Sequence, residues 1–339
     1  MKSFLAAAGI VCASFVVSTQ PSPRVDANSV VAADGSGDYA TIQDAIDAVP
    51  QSTSASNRWV IRVKPGTYHE RVYVQREKRF VSLVGADPST VVISYGLYAS
   101  MSGPDGKPIG TFRTPTVQID ADDFSAENIT FENTAGRVGQ ALAVRVDGDR
   151  AVFRNCRFIG WQDTMLLNRG RQYIEDSLIA GDVDFIFGGA TAWFERCQIL
   201  CRRDGYVTAA STPTEAPHGF VFANSSITGA PDVRTYLGRP WRDYAQVTFL
   251  TTSMTDVVRP VGWHNWDQPT REQTARYREY ASTGEGGATT GRARWARQLS
   301  SDEARAITVT SVLGGADAWD PQRVPAHLSG GRAIDAPPQ

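Results

Sequence analysis

Asp163 and Asp184 stand 21 residues apart in related phrases, Gln162-Asp163-Thr164 and Val183-Asp184-Phe185-Ile186-Phe187-Gly188. The residues between them, Gly170 to Gly181, are too few and too rich in β-formers for a crossover helix. If the chain coils with a period of this length, the two carboxylates stack on adjacent turns, roughly 4.7–4.9 Å apart. Such a pair can divide nucleophilic from acid/base work. Gln140 precedes Gln162 by 22 residues, so coil counting brings Gln140, Gln162, Asp163 and Asp184 to one patch. Amide N–H groups there could stabilise a developing oxyanion. Close like charges raise the pKa of one carboxyl, and a cation lowers that of the other. Arg239, in Leu237-Gly238-Arg239-Pro240-Trp241, is the best candidate for that cation. Spacing alone leaves open which of the two it holds low. The competing reading is structural: stacked Asp and Gln side chains can simply satisfy solenoid turns, and Gly-Arg-Pro-Trp can be a loop ion pair.

Positioning such a patch requires a repeating backbone, and the middle of the chain is repetitive. Short alternating strands flank polar corners at Asn128, Asn155, Asp176, Arg196 and Asn224, at intervals of 27, 21, 20 and 28 residues. Strand-only repeats of this length indicate a parallel β-helix, an all-β solenoid. A β-sandwich also has many short strands, but Asn-Gly hairpin turns are missing between the repeats. A solenoid needs covered ends. Thr41 to Pro50 reads as a short amphipathic capping helix, N-capped by Thr41 and stopped by Pro50, with Ile42, Ala45, Ile46 and Val49 buried. Residues 270–307 suit a C-terminal helical and loop cover. The expected organisation is one domain over 28–324 and a loose tail over 325–339.

Residues 1–20 form a different kind of segment. Lys2, an apolar run from Phe4 to Val17 and a polar, Pro-containing exit make a secretory signal, whose cleavage point the sequence does not fix. Fourteen apolar residues are short for a membrane span, which needs about 20. The expected location is therefore extracellular, with no membrane association after signal removal. A net charge of −2 gives no basic face for nucleic acid. Cys12 leaves with the signal, and Cys156, Cys197 and Cys201 remain. Cys156, Ser177 and Cys197 fall at equivalent corners, which puts the two cysteines two coils apart, about 9–10 Å, beyond disulfide reach. Free thiols are expected. The four histidines are scattered and no short Cys/His cluster occurs, so no metal site is indicated. A Gly-x-Ser-x-Gly elbow is also missing.

Five phrases in order resemble the pectinesterase (pectin methylesterase) family of carbohydrate esterases. They are Gly66-Thr67-Tyr68-His69-Glu70, Gln140-Ala141-Leu142-Ala143-Val144-Arg145, Gly160-Trp161-Gln162-Asp163-Thr164-Met165, Asp184-Phe185-Ile186-Phe187-Gly188 and Leu237-Gly238-Arg239-Pro240-Trp241. Gly262-Trp263-His264-Asn265-Trp266 and Gly314-Gly315-Ala316-Asp317-Ala318-Trp319 agree as well, so the resemblance spans roughly residues 30–320.

The resemblance implies a right-handed parallel β-helix that hydrolyses galacturonate methyl esters of pectin to polygalacturonate and methanol. It implies Asp184 as nucleophile, Asp163 as acid then base and titrating high, Gln140 and Gln162 as oxyanion donors, and Arg239 as the partner that holds Asp184 low. Phe112, Phe187, Trp241 and Trp263 become candidates for the sugar cleft. No cofactor is implied, and a monomer acting on methyl-esterified homogalacturonan is expected. Met165 departs from the family's usual Leu, a near-isosteric change. Ser177 and Cys197 stand where some members carry a cysteine pair, so no bridge carries over. A β-helical pectin lyase or polygalacturonase, or a carbohydrate-binding β-helix without catalysis, are the alternatives.

Overall fold

The computed structural model describes residues 27–327. The apolar leader with Cys12, and the tail beyond His327, lie outside the described residues. The repeated strands pair in parallel, coil on coil. One face runs through eleven strands, from Ser29–Val31 through Ala151–Arg154, Arg171–Glu175 and Thr191–Glu195 to Arg297–Gln298. Two further faces are joined by the long strands Leu178–Gly188 and Gln198–Ala210. The first half of Leu178–Gly188 pairs with Arg157–Ile159, and its second half pairs with Met165–Leu167. The architecture is the expected parallel β-helix.

The corners explain why the period is legible in the sequence. Asn128, Asn155, Asp176, Arg196, Asn224 and Thr251 all have positive φ, between 49° and 57°. Each N–H donates to a carbonyl on the following coil, as Asn155 does to Glu175 (3.1 Å) and Thr251 to Tyr280 (2.8 Å). Asn and Asp tolerate the left-handed region better than other side chains, which is why polar residues mark most corners. Just past them, Cys156, Ser177, Cys197 and Ser225 form one ladder. The Cys156 N–H donates to Ser177 Oγ and the Cys197 N–H to Ser225 Oγ, both at 3.0 Å. All three described cysteines are buried free thiols.

In-register stacking also builds the interior. Phe194, Phe222 and Phe249 occupy one register position on successive coils and stack at 4.3 and 4.7 Å between ring centroids. Phe131, Phe153 and Phe158 pack in a second aromatic cluster. The N-terminal end is covered by helix α1 (Ile42–Asp47), whose N-cap Thr41 accepts the Asp44 N–H and whose Ile42, Ala45 and Ile46 are buried.

The C-terminal region differs from expectation in two ways. Arg276–Tyr280 and Arg297–Gln298 are not cover but the last strands of the eleven-stranded face. Helices α2 (Ser301–Ala306) and α3 (Val309–Leu313) lie along the flank of that face. The reason is an outward apolar row, Val152, Tyr173, Trp193 and Val221, which would otherwise face water. Ala304, Val312 and Leu313 bury it. The first residues of the expected tail are also tied down, because the His327 N–H donates to Glu127 Oε2 at 3.0 Å.

Thr251 is the β-branched member of the corner ladder, at φ 50°. Left-handed backbone costs such a residue about 1–2 kcal/mol. Thr251→Asn should therefore raise stability by about 1 kcal/mol in reversible denaturation, with the gain appearing as a higher Tm. An unchanged or lowered Tm would show that this corner carries no strain.

Candidate active site

The register places both aspartates. Met165 pairs with Ile186 and Leu166 with Phe187, so Asp163 and Asp184 occupy the same position on adjacent coils. The Asp163 N–H donates to Val183 O at 3.0 Å. Both residues are left-handed, with φ 65° and 52°. Register shifts flank Val183 in the pairing of Leu178–Gly188 with Gln198–Ala210. A bulge of this kind re-aims a side chain, and here it sits beside Asp184.

Arg239 arrives on strand Thr235–Pro240, where it pairs with Ala209, which pairs in turn with Phe187. Gly238 beside it packs so close that a Cβ would collide with Thr208 Oγ1. Arg239 Nε donates to Asp184 Oδ1 at 2.8 Å and Nη2 to Oδ2 at 2.7 Å. This two-point fork is the strongest form of carboxylate recognition available to a side chain. Among the described residues, Asp163 receives no such partner.

Electrostatics follow from burial first. Asp163 is 8% and Asp184 6% exposed. Burial pushes the Asp163 carboxyl well above its ordinary range, and the neighbouring Asp184 charge adds to the rise. Burial also raises Asp184, and Arg239 offsets only part of that rise. The expectation that Arg239 would hold Asp184 low is corrected: desolvation outweighs the guanidinium. The order within the pair survives, because only Asp184 has a cation in contact. Asp182, which coil counting missed, adds repulsion to both groups. Its Oδ1 accepts the Val183 N–H at 2.6 Å.

The aspartates open into a cleft of about 350 Å³, lined also by Thr111, Phe112, Gln140, Gln162, Phe187, Ala209, Arg239, Trp241 and Trp266. Val144 pairs with Met165, so the strands advance 21 residues per coil, and the extra residue between Gln140 and Gln162 is absorbed before the strand begins. Both glutamines nevertheless reach the cleft. Among the described residues, neither side-chain amide has a protein hydrogen-bond partner, which leaves their N–H groups free for a ligand. Phe187 meets Trp241 edge to face at 5.8 Å, on a floor of Leu142, Leu166 and Ala209. Phe112 stands at the rim, 44% exposed, with the Arg145 guanidinium over its ring.

Trp263 is not in the cleft. Its ring is 2% exposed inside the coil, 4.3 Å from Tyr277, and its Nε1–H donates to the buried Glu279 carboxylate at 3.1 Å. Glu279 is also paired with Arg292, whose Nε donates at 2.8 Å. Trp263 therefore plugs the C-terminal end of the interior, and Trp266, three residues later, lines the cleft instead. No strand alternation marks the difference in the motif, because Trp263 makes a single bridge to Gly238 and Trp266 sits in a left-handed turn.

Comparisons with known proteins point to one family and one fold. The Pectinesterase family model matches residues 28–316. The chain is 44% identical to Pectinesterase 31 of Arabidopsis thaliana over 283 residues, which are 81% of this chain and 88% of that protein. Its fold is similar to that of the pectin methylesterase from carrot, with a TM-score of 0.83 and 36% identity, covering 91% of this chain and 99% of that one. It is also similar to pectin methylesterase PemA from Erwinia chrysanthemi, with a TM-score of 0.77 and 30% identity, covering 88% and 99% of the two chains.

A raised carboxyl binds its proton more tightly in the folded than in the unfolded chain. Its contribution to stability is complete below the unfolded value and is lost as pH rises through the folded one. Asp163→Asn should accordingly raise Tm at neutral pH, and the gain should vanish below the ordinary value of 3.8. Thermal denaturation across that range checks it. A variant less stable than the parent at neutral pH would mean that the site favours the ionised carboxylate.

Proposed function

The chain belongs to the pectinesterase family, and from that premise we propose that it hydrolyses galacturonate methyl esters of pectin, with Asp184 as nucleophile and Asp163 as acid and base. The observation that carries this reading is the asymmetry of the buried pair: one carboxyl gripped by a guanidinium, its neighbour left without a cation in contact. The first is suited to stay ionised and attack, and the second to hold a proton.

Asp184 Oδ attacks the ester carbonyl, whose electron pair moves onto oxygen. Side-chain N–H groups of Gln140 and Gln162 donate to that oxyanion. Collapse of the tetrahedral intermediate breaks the bond to methoxide, which takes the Asp163 proton and leaves as methanol. The acyl group now resides on Asp184. Asp163, ionised, removes a proton from water as the water oxygen attacks the acyl carbonyl. Asp184 departs as carboxylate, the galacturonate carries a free acid, and Asp163 is protonated again. Arg239 keeps the attacking carboxylate oriented throughout. Phe187, Trp241, Trp266 and Phe112 offer apolar faces for the sugar rings.

We further propose a single β-helix unit over 28–324, exported by the N-terminal signal and acting outside the cell. Among the described residues no helix is long and apolar enough to cross a membrane. The chemistry needs only water as co-substrate.

The defining experiment incubates the protein with highly methylated pectin and follows methanol, unsaturated product and reducing ends. Methanol alone is expected; unsaturated product would indicate elimination, and new reducing ends would indicate chain hydrolysis. Asp184→Asn should lower kcat by at least about 10⁴-fold, as loss of a covalent nucleophile does, with the Tm retained. Full activity in that variant would remove Asp184 from the mechanism. The pH profile of kcat/KM should be bell-shaped. Activity falls as acid protonates Asp184, on a limb displaced above the ordinary 3.8, and falls again as alkali ionises Asp163. Both limbs report apparent values of the coupled pair. An acid limb at or below the ordinary value would contradict the site's burial.

A further inference from the structure

Segment 262–266 runs beside 237–239. The Leu237 N–H donates to Gly262 O at 2.6 Å, and the His264 N–H donates to Gly238 O at 3.1 Å. Trp263 and Trp266 of this segment have places in the core and the cleft, but His264 has so far had no role. The guanidinium carbon of Arg239 lies 3.8 Å from the Tyr206 ring centroid and 3.8 Å from that of Trp266. The cation is thus sandwiched between two π faces, far inside the limit of about 6 Å for such contacts. Trp266 lines the cleft; Tyr206 does not.

Both rings are held from behind. Tyr206 stacks on Tyr236 at 5.2 Å and 12°, and the His264 ring meets these two tyrosines edge-on at 5.5 and 5.2 Å. His264 Nδ1 accepts the Trp266 N–H at 3.0 Å. That requires a neutral imidazole with its proton on Nε2. Trp266 has φ 61°, a conformation a bulky residue keeps only when its surroundings hold it there. One histidine therefore braces the first ring and fixes the backbone that presents the second.

We propose that Tyr206, Trp266 and His264 are positioning residues, which clamp the Arg239 guanidinium in the plane of the Asp184 carboxylate. The inference rests on the reading of Asp184 as nucleophile. A guanidinium hydrogen-bonds only through its edge, so stacking both faces removes water and rotational freedom without blocking a donor. The two parallel bonds to Asp184 need that coplanarity. An ammonium can sit over a ring but has no plane, so the rings cannot orient a lysine as they orient the guanidinium.

The test is a double-mutant cycle read on methylated pectin, with Tm recorded for every protein. Tyr206→Leu and Tyr206→Phe are made in the parent and in Arg239→Lys. In the parent, Tyr206→Leu should lower kcat by about tenfold to a hundredfold through misplacement of Asp184, with KM changed by less than about twofold. Tyr206→Phe, which keeps the ring, should restore most of that loss. In the Arg239→Lys background Tyr206→Leu should cost little further. A folded Tyr206→Leu protein with parental kcat overturns the clamp. So does an equal loss in Tyr206→Phe, which would point to the hydroxyl, or the same factor in both backgrounds, which would point to packing. Should Tyr206→Leu not fold, Trp266→Leu enters the cycle on kcat and Tm alone, because its ring also lines the cleft. Coupling between positions 206 and 239 in Tm reads the clamp without activity, so its failure is separable from a failure of the nucleophile assignment.

Discussion

Two carboxylates are held out of water one coil apart, and among the described residues only one of them has a cation in contact. Everything else about the site follows from that constraint. Burial raises both groups, mutual repulsion raises Asp163 further, and the fork from Arg239 settles which of the two gives up its proton first. A solvent-exposed pair would titrate alike and could not divide the work. A pair with a cation on each carboxyl would have no proton to give. The protein therefore keeps an expensive arrangement in its wall, and the rigidity of the surrounding coils is what permits it.

That rigidity comes from repetition. Parallel strands in register put like residues on top of one another, so the interior becomes ladders of Phe and the corners become ladders of left-handed Asn and Asp. The site is built from the same elements with small departures. The aspartates adopt the left-handed backbone of the corners, a bulge sits beside Asp184, and Gly238 allows the Arg239 strand to approach closely. Aromatic residues on neighbouring coils then enclose the guanidinium.

Much of this was readable from spacing. The corners at Asn128, Asn155, Asp176, Arg196 and Asn224 give the period, because few side chains accept that backbone and the exceptions are rare enough to count. The same count placed Asp163 against Asp184 and predicted unpaired thiols at Cys156 and Cys197, two coils apart with Ser177 between them. The capping helix was legible through Thr41 and Pro50. Counting failed where the chain leaves the period. Tyr206 pairs with Val183 across a register shift, so its approach to Arg239 is invisible to a fixed interval. Asp182 was missed because its neighbour Asp184 already fitted the pattern.

The sequence by itself determined the solenoid, its local register and the meeting of Gln140, Gln162, Asp163 and Asp184, since these depend on local backbone preference and on a period that residue spacing records. It could not decide which way single aromatic residues of one motif would turn: Trp263 plugs the interior on Glu279, while Trp266 lies over Arg239. Nor could it decide whether Arg239 or burial would dominate Asp184, or that the C-terminal helices would cover a flank. Those outcomes are balances between desolvation, charge and packing summed over several coils. Only the assembled tertiary structure sets the distances and the burial on which each balance turns.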